Sequence, residues 1–158
     1  MNESALVRCH HVSVVYAAGR ETRSALDAAD LSVHARERLS LIGRSGSGKT
    51  TLLHVLGGLV EPTSGKVEWK GRPLGALDAT GRRRHGLAYV FQGANLLPHL
   101  SAFENVAFAV GLGSGNGGRD PLQLLALVVA THDAAVASRF NRVVELNDGK
   151  VAAETVLA

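Results

Sequence analysis

Eight consecutive residues, Gly43-Arg44-Ser45-Gly46-Ser47-Gly48-Lys49-Thr50, carry the most specific chemistry in the chain. They match the spacing G-x-x-x-x-G-K-[ST] in full, and that combination of glycines, lysine and hydroxyls suits a polyphosphate. Glycines let the backbone curl so that successive N–H groups point at phosphate oxygens. A helix beginning at the end of the loop adds partial positive charge and free donors. On this reading Lys49 reaches the β- and γ-phosphates and the Thr50 hydroxyl ligates Mg²⁺, with Thr51 as a further hydroxyl contact. A glycine-rich surface turn before a helix would show similar residues. The flanks favour phosphate, because an apolar run, residues 39–42, precedes the loop and a helical pattern follows it.

The elements that must position this loop are legible in outline. Residues 6–16, rich in Val, and residues 31–34 read as strands, as does the run 39–42. Leu52, Leu53, Val55, Leu56 and Leu59 repeat at helical spacing and predict a helix over residues 50–59, with Gly57-Gly58 near its end. Residues 62–65 form a turn, and residues 66–70 and 87–91 read as short strands. Ser101 and Glu104 make a capping box that opens a helix over residues 101–110. Residues 111–118, GLGSGNGG, hold five glycines and one apolar residue. Such a stretch behaves as flexible coil spanning about 15 Å. Beyond it, residues 122–131 suggest a short helix running into a buried strand, Asp133 caps a helix from Ala134, and residues 143–151 form a hairpin around Asp148-Gly149. Strands alternating with helices indicate an α/β fold with a largely parallel sheet.

Composition narrows the class. At 158 residues and 46% apolar content, the chain suffices for one domain with a hydrophobic core. A net charge of +3 permits anionic partners such as nucleotides without demanding nucleic acid. The single Cys9 precludes an internal disulfide and suits a reducing compartment. No signal-peptide pattern opens the chain, and the most apolar stretch, residues 121–131, is shorter than the roughly 20 residues that cross a bilayer. A soluble, cytoplasmic protein is expected.

Among P-loop proteins, the GTPase pattern Asn-Lys-x-Asp is absent. The run from Ser45 through Leu53, then Gly57-Gly58-Leu59 and Pro62-Thr63-Ser64-Gly65, resembles the core of ABC transporter ATPase subunits. Val90-Phe91-Gln92 with Asn95-Leu96-Leu97-Pro98-His99-Leu100-Ser101-Ala102 and Glu104-Asn105-Val106 resembles the Q-loop region of that family, and Thr131-His132-Asp133 its H-loop. The wording of residues 96–106 is most similar to the lipoprotein-release and macrolide-export group. The resemblance covers residues 5–110 and about 127–155. It implies a P-loop NTPase core with a largely parallel sheet plus N-terminal antiparallel strands, minus the family's helical subdomain. It also implies that Tyr16 stacks on adenine, that Gln92 contacts Mg²⁺ or the attacking water, and that His132 senses the γ-phosphate. The nucleotide set is then Tyr16, Gly43, Ser45, Gly46, Ser47, Gly48, Lys49, Thr50 and Thr51, with ATP and Mg²⁺ as cofactors and Thr50 and Gln92 at the metal. Taken singly, Tyr16 is also an edge aromatic, Gln92 a strand-end polar residue and His132 a helix-start residue. Arg82-Arg83-Arg84 reads as a solvated turn, and His10-His11 has no acidic or cysteine partner at ligand spacing.

The family completes its site with four apolar residues followed by Asp-Glu, and with a Leu-Ser-Gly-Gly-Gln signature. The chain contains no Asp-Glu dipeptide and no such signature, and only 40 residues separate Gln92 from His132. Residues 1–158 therefore read as one truncated ATPase domain, with 111–118 as a linker joining two segments of its core. In the family the missing strand lies between the Gln92 and His132 strands, so its loss is expected to open a gap there or to force the two together. Three readings follow: a working ATPase subunit, a nucleotide-binding scaffold without turnover, and a defective deletion product. By resemblance the partners are a transmembrane permease subunit, seated against residues 93–101 through Leu96, Leu97 and Leu100, and a second ATPase subunit. The same leucines could instead fold inward onto the core. The resemblance places the chain in the cytoplasm, peripheral to the inner face of the membrane.

Overall fold

A computed structural model describes residues 5–19, 21–84, 87, 97–101, 104–105 and 126–157. They belong to two units, one formed by Met1–Gly75 with Leu125–Ala158 and the other by Ala76–Leu124.

The first unit holds two four-stranded sheets. In the antiparallel sheet, β1 (Val7–Ala18) lies between β2 (Glu21–Val33) and β4 (Ser64–Trp69), with the short β5 (Arg72–Pro73) beyond β4. Strand β2 begins at Glu21, ten residues ahead of the expected 31–34 strand. Residues 21–24 are exposed and lack an alternating apolar pattern, so pairing rather than burial makes them a strand: Ala18 faces Glu21 and Tyr16 faces Arg23. Bulges interrupt this ladder near His11 and Ala28, both at positive φ. Side chains take up the displaced donors. Asp30 Oδ1 accepts the His11 N–H at 3.0 Å, and Ser13 Oγ accepts the Ala28 N–H at 2.9 Å.

The second sheet has the order β6 (Ala126–Ala130), β3 (Glu37–Ile42), β7 (Arg142–Asn147), β8 (Lys150–Val156). Strand β3 runs parallel to both β6 and β7, and only β8 is antiparallel. Leu39, Ser40 and Leu41 are buried in succession, as a central strand covered on both faces requires. The β7–β8 hairpin turns through Asp148 (φ 47°) and Gly149 (φ 80°), two positive φ angles in a row, as a type I′ turn demands.

Helix α1 (Lys49–Leu56) buries Leu52, Val55 and Leu56. It stops three residues short of the expected end because Gly57-Gly58 closes it. The Leu59 N–H bonds the His54 carbonyl at 2.7 Å and the Gly58 N–H bonds that of Val55 at 3.0 Å, the paired bonds of a Schellman end. After β6, α3 (Ala134–Ala137) starts where expected, with Asp133 Oδ1 accepting the N–H groups of Ala135 and Val136.

In the second unit, α2 (Ala79–Arg84) contains Arg82-Arg83-Arg84, which were expected in a solvated turn. Asp78 opens this helix by accepting the Gly81 N–H, and Arg82 Nε donates to the Leu77 carbonyl at 2.9 Å. The capping box forms: Glu104 Oε2 accepts from the Ser101 N–H at 2.7 Å, and Ser101 Oγ accepts the Glu104 N–H at 3.2 Å. Asn105 stitches the preceding turn through the carbonyls of Leu97, Leu100 and Ser101. Most of the strand 87–91, the rest of the helix 101–110, the linker 111–118 and residues 122–125 lie outside the described residues.

Candidate nucleotide site

Strand β3 delivers the chain into the loop at Gly43, and α1 takes it out at Lys49. Two positions in this loop need glycine for want of space. A Cβ on Gly43 would run into the Leu146 carbonyl of β7. One on Gly48 would lie 2.5 Å from the Ala25 carbonyl of β2. Gly48, at φ 101°, is also the residue before the first turn of α1, and no side chain caps that turn. The first N–H groups of α1 are thus left for an anion. Ser47 is buried, whereas Ser45, Gly46 and Thr50 are exposed and Lys49 and Thr51 half-buried.

Lys49 folds over the loop. Its ammonium donates to the carbonyls of Gly43 and Arg44, both at 2.8 Å, and lies 3.4 Å from Ser47 Oγ. The cation is therefore held by neutral carbonyls of the loop itself, which a phosphate would outcompete through a charge-assisted bond.

Two residues that the resemblance assigns to the site can be placed relative to this loop. Tyr16 on β1 is 43% exposed and lies opposite Arg23 in the β1–β2 ladder. A guanidinium nitrogen of Arg23 comes within 3.2 Å of where a Gly46 Cβ would stand. One side chain thus spans from the position paired with Tyr16 to the loop apex. On the other side, β6 ends beside β3: Ala130 is in register with Leu41, and the Thr131 N–H donates to the Leu41 carbonyl at 3.0 Å. This puts His132, exposed, at the same carboxyl edge of the parallel strands from which the loop springs. That edge is where open α/β sheets bind ligands. Gln92 and Leu96 lie outside the described residues. Leu97 and Leu100 are half-buried and Pro98 and His99 exposed, between the apolar patch and the inward-folded alternative.

Arg23, Leu146 and Gly149 were not singled out from the sequence. The Gly149 N–H donates to the Ser47 carbonyl at 3.0 Å, and the Gly149 carbonyl accepts from Asp27 N–H at 3.0 Å. Asp148-Gly149 was legible as a turn, but nothing local says that the turn abuts a loop a hundred residues earlier. Among the described residues no group of three or more His, Cys, Asp or Glu could hold a metal ion, and no helix is long and apolar enough to cross a membrane.

Residues 26–157 match the ABC transporter family model. The lipoprotein-releasing system ATP-binding protein LolD of Psychrobacter arcticus is 41% identical over 107 residues, which is 66% of this chain and 47% of that protein. LolD of Shewanella frigidimarina is 40% identical over 126 residues, covering 78% and 51%. The chain thus spans about half the length of these curated relatives. An ATP-binding cassette solved as a dimer in a post-hydrolysis state with ADP and Pi superposes with a TM-score of 0.75 at 23% identity, covering 96% of this chain and 99% of that one. A nucleotide-free cassette from an ABC transporter gives 0.69 at 14% identity, covering 98% and 92%. At these identities the structures speak to the fold, a P-loop NTPase core of mixed α/β type, while the sequence match carries the family. With the glycine loop, its lysine and the strand–loop–helix frame in place, the chain belongs to the ABC transporter family.

Proposed function

We propose that this domain binds Mg-ATP or ADP through Gly43, Ser45, Gly46, Ser47, Gly48, Lys49, Thr50 and Thr51, with Tyr16 against the adenine, and that it hydrolyses ATP little or not at all. The observation that carries the binding reading is the Lys49 ammonium over the loop, beside an α1 N-terminus that no side chain caps. His132 is proposed to sense the terminal phosphate, and its exposed position at the edge where the loop begins supports that reading. The donors near the loop fit Mg²⁺ that arrives with the nucleotide. Thr50 would offer a neutral hydroxyl, and the phosphates would supply most other oxygens, as is usual for this ion. Bound there, Mg²⁺ would neutralise phosphate charge. Gln92 is proposed as its second protein contact by resemblance alone.

The missing Asp-Glu pair and signature support impaired turnover. Phosphoryl transfer rests mainly on positioning and charge stabilisation, so a site without the acids that hold metal and water loses most of its rate. The relatives named above belong to lipoprotein-releasing systems. By that likeness a transmembrane permease subunit and a second ATPase subunit are the partners of the complete machine, at the inner face of the membrane. Coupling to them is impaired here, because the helical subdomain that would face residues 93–101 has no counterpart in the sequence.

Calorimetric titration with ADP tests the binding reading. Lys49→Ala removes a charge-assisted contact worth roughly 1.5–3 kcal/mol, or about tenfold or more in affinity. Equal affinity in mutant and parent would overturn the assignment. For turnover, steady-state hydrolysis in the common enzyme range of roughly 1–10³ s⁻¹, abolished by Lys49→Ala, would refute the claim of impaired catalysis. For coupling, stable and nucleotide-responsive co-purification with a cognate transmembrane subunit would count against it.

A further inference from the structure

The phosphate loop is held from outside by groups remote in sequence. The Asp148-Gly149 turn inserts between the loop and β2, and Gly149 uses both of its backbone groups there. Its N–H binds the Ser47 carbonyl and its carbonyl binds the Asp27 N–H, each at 3.0 Å. The fit leaves little room for a side chain. At φ 80°, a Cβ on Gly149 would stand 3.0 Å from both the Ala25 carbonyl oxygen and the Leu26 Cα. The Leu146 carbonyl, two residues before the turn, meets the other end of the loop at Gly43. Both ends of the loop thus rest on one hairpin, which approaches Ser47 through an N–H and Gly43 through a carbonyl.

The contact with Ser47 bears on ligand binding. Its carbonyl belongs to the peptide that continues into Gly48 N–H, so a bond to that carbonyl sets the tilt of the peptide plane and the direction of the Gly48 N–H. Ser47 Oγ is also near the Lys49 ammonium, at 3.4 Å. Moving Ser47 therefore re-aims a backbone donor and disturbs a neighbour of the lysine together.

We propose that Gly149 is a positioning residue for nucleotide binding: its N–H fixes the Ser47–Gly48 peptide in the orientation that presents the loop donors to phosphate. This rests on the nucleotide-binding reading above. It also gives the C-terminal hairpin a task in the domain, which is to brace the phosphate loop.

The first test uses the unaltered chain. Amide hydrogen exchange, followed residue by residue with and without saturating ADP, should slow at Gly149 together with Gly48 and Lys49, because ligand that stiffens the loop also stiffens the acceptor of the Gly149 N–H. Slowing at Gly48 and Lys49 with no change at Gly149 would overturn the proposal, and so would exchange at Gly149 as fast as in an open chain. The second test is Gly149→Ala, with ADP affinity measured well below its unfolding midpoint so that the sample is folded. Affinity is expected to fall by about tenfold or more, since misplacing a binding group by even 1 Å is costly. Asp148→Asn, which keeps a residue that tolerates positive φ and leaves both Gly149 bonds in place, is expected to bind as the parent does. A Gly149→Ala protein with a lower midpoint but parental affinity would show the turn to be merely structural and overturn the proposal. Failure of the parent itself to bind ADP would instead remove the nucleotide reading, and this proposal with it. Lys49→Ala, run alongside, separates the two cases, because it should weaken ADP binding whether or not Gly149 positions the loop.

Discussion

Tyr16 sits in a strand ladder opposite Arg23, whose guanidinium approaches the phosphate loop at Gly46, and its proposed contact with adenine can be tested directly. Stacking needs the ring and not the hydroxyl, so Tyr16→Phe should retain ADP affinity. Tyr16→Ala should lose roughly 1–3 kcal/mol, the range for base–aromatic stacking, read from the same titration. Equal binding by all three proteins would return Tyr16 to the plain edge aromatic. Cys9 is inert for a different reason. It is buried on β1, and burial, followed by the nearby negative charge of Asp30, pushes its thiol up to about 12. The thiolate is the nucleophile, so maleimide at pH 8 should label the unfolded chain and leave the native one untouched. Rapid labelling of folded protein would mean that β1 does not pair as described. Ser40 completes this set. Its Oγ is fully buried on β3 with no hydrogen-bond partner among the described residues. Ser40→Ala should then leave the unfolding midpoint unchanged or raise it, since it removes an unsatisfied buried hydroxyl that costs about 1–3 kcal/mol.

Short elements in this chain depend on their caps. Helix α3 is only Ala134–Ala137, too short to persist on propensity alone. Asp133 accepts two of its N–H groups, and Asp133→Ala should cost roughly 0.5–2 kcal/mol in a denaturant titration. In the second unit the Ser101–Glu104 box responds to acid. The Ser101 backbone N–H, then its hydroxyl, hold the Glu104 carboxyl below its ordinary value. A carboxylate whose folded pKa is depressed contributes above its unfolded value, and the contribution is lost as pH falls through the folded one. The Ser101 amide resonance should therefore stay constant from neutral pH down to about pH 4, the ordinary glutamate range, and move only below it. Glu104→Gln should remove that transition. These caps were legible because each is a local pattern. Strand β2 was legible only in its last residues, because residues 21–24 have no apolar alternation and become strand by hydrogen bonding to β1.

Across the first unit, one side chain ties the two sheets together. Arg142 on β7 donates from Nη1 to the Ser32 carbonyl on β2 and to Glu37 on β3, and from Nη2 to Glu154 on β8, each within 2.8 Å. Burial alone would lower the pKa of the guanidinium, but its bonds to Glu37 and Glu154 outweigh this and raise it. Arg142→Met leaves Glu37, whose side chain is 12% exposed, without its cation. The variant should lose roughly 2–4 kcal/mol, somewhat less than a fully buried pair, and a loss under about 0.5 kcal/mol would mean the tie is only a surface contact. Leu41, fully buried on β3, the strand that leads into the loop, supplies a comparison: Leu41→Ala should cost about 2–5 kcal/mol as a cavity. The expected gap beside the Gln92 strand falls outside the described residues. What is described is β6 in register with β3, which keeps His132 at the edge of the phosphate loop.

By itself the sequence determined the loop, its lysine and hydroxyls, the helix that follows, the hairpin turn and both helix caps, because each is written in a few neighbouring residues. It also determined the absence of the acid pair, which no packing can supply. The tertiary structure decided what surrounds the loop. Arg23 reaches Gly46, the Leu146 carbonyl closes on Gly43, and Gly149 grips Ser47, all through contacts between segments that share no local pattern. Two of these three use the main chain, and every residue except proline carries the same N–H and carbonyl. A backbone contact of this kind leaves no side-chain signature to read, so it emerges only once folding has set register and the two segments meet.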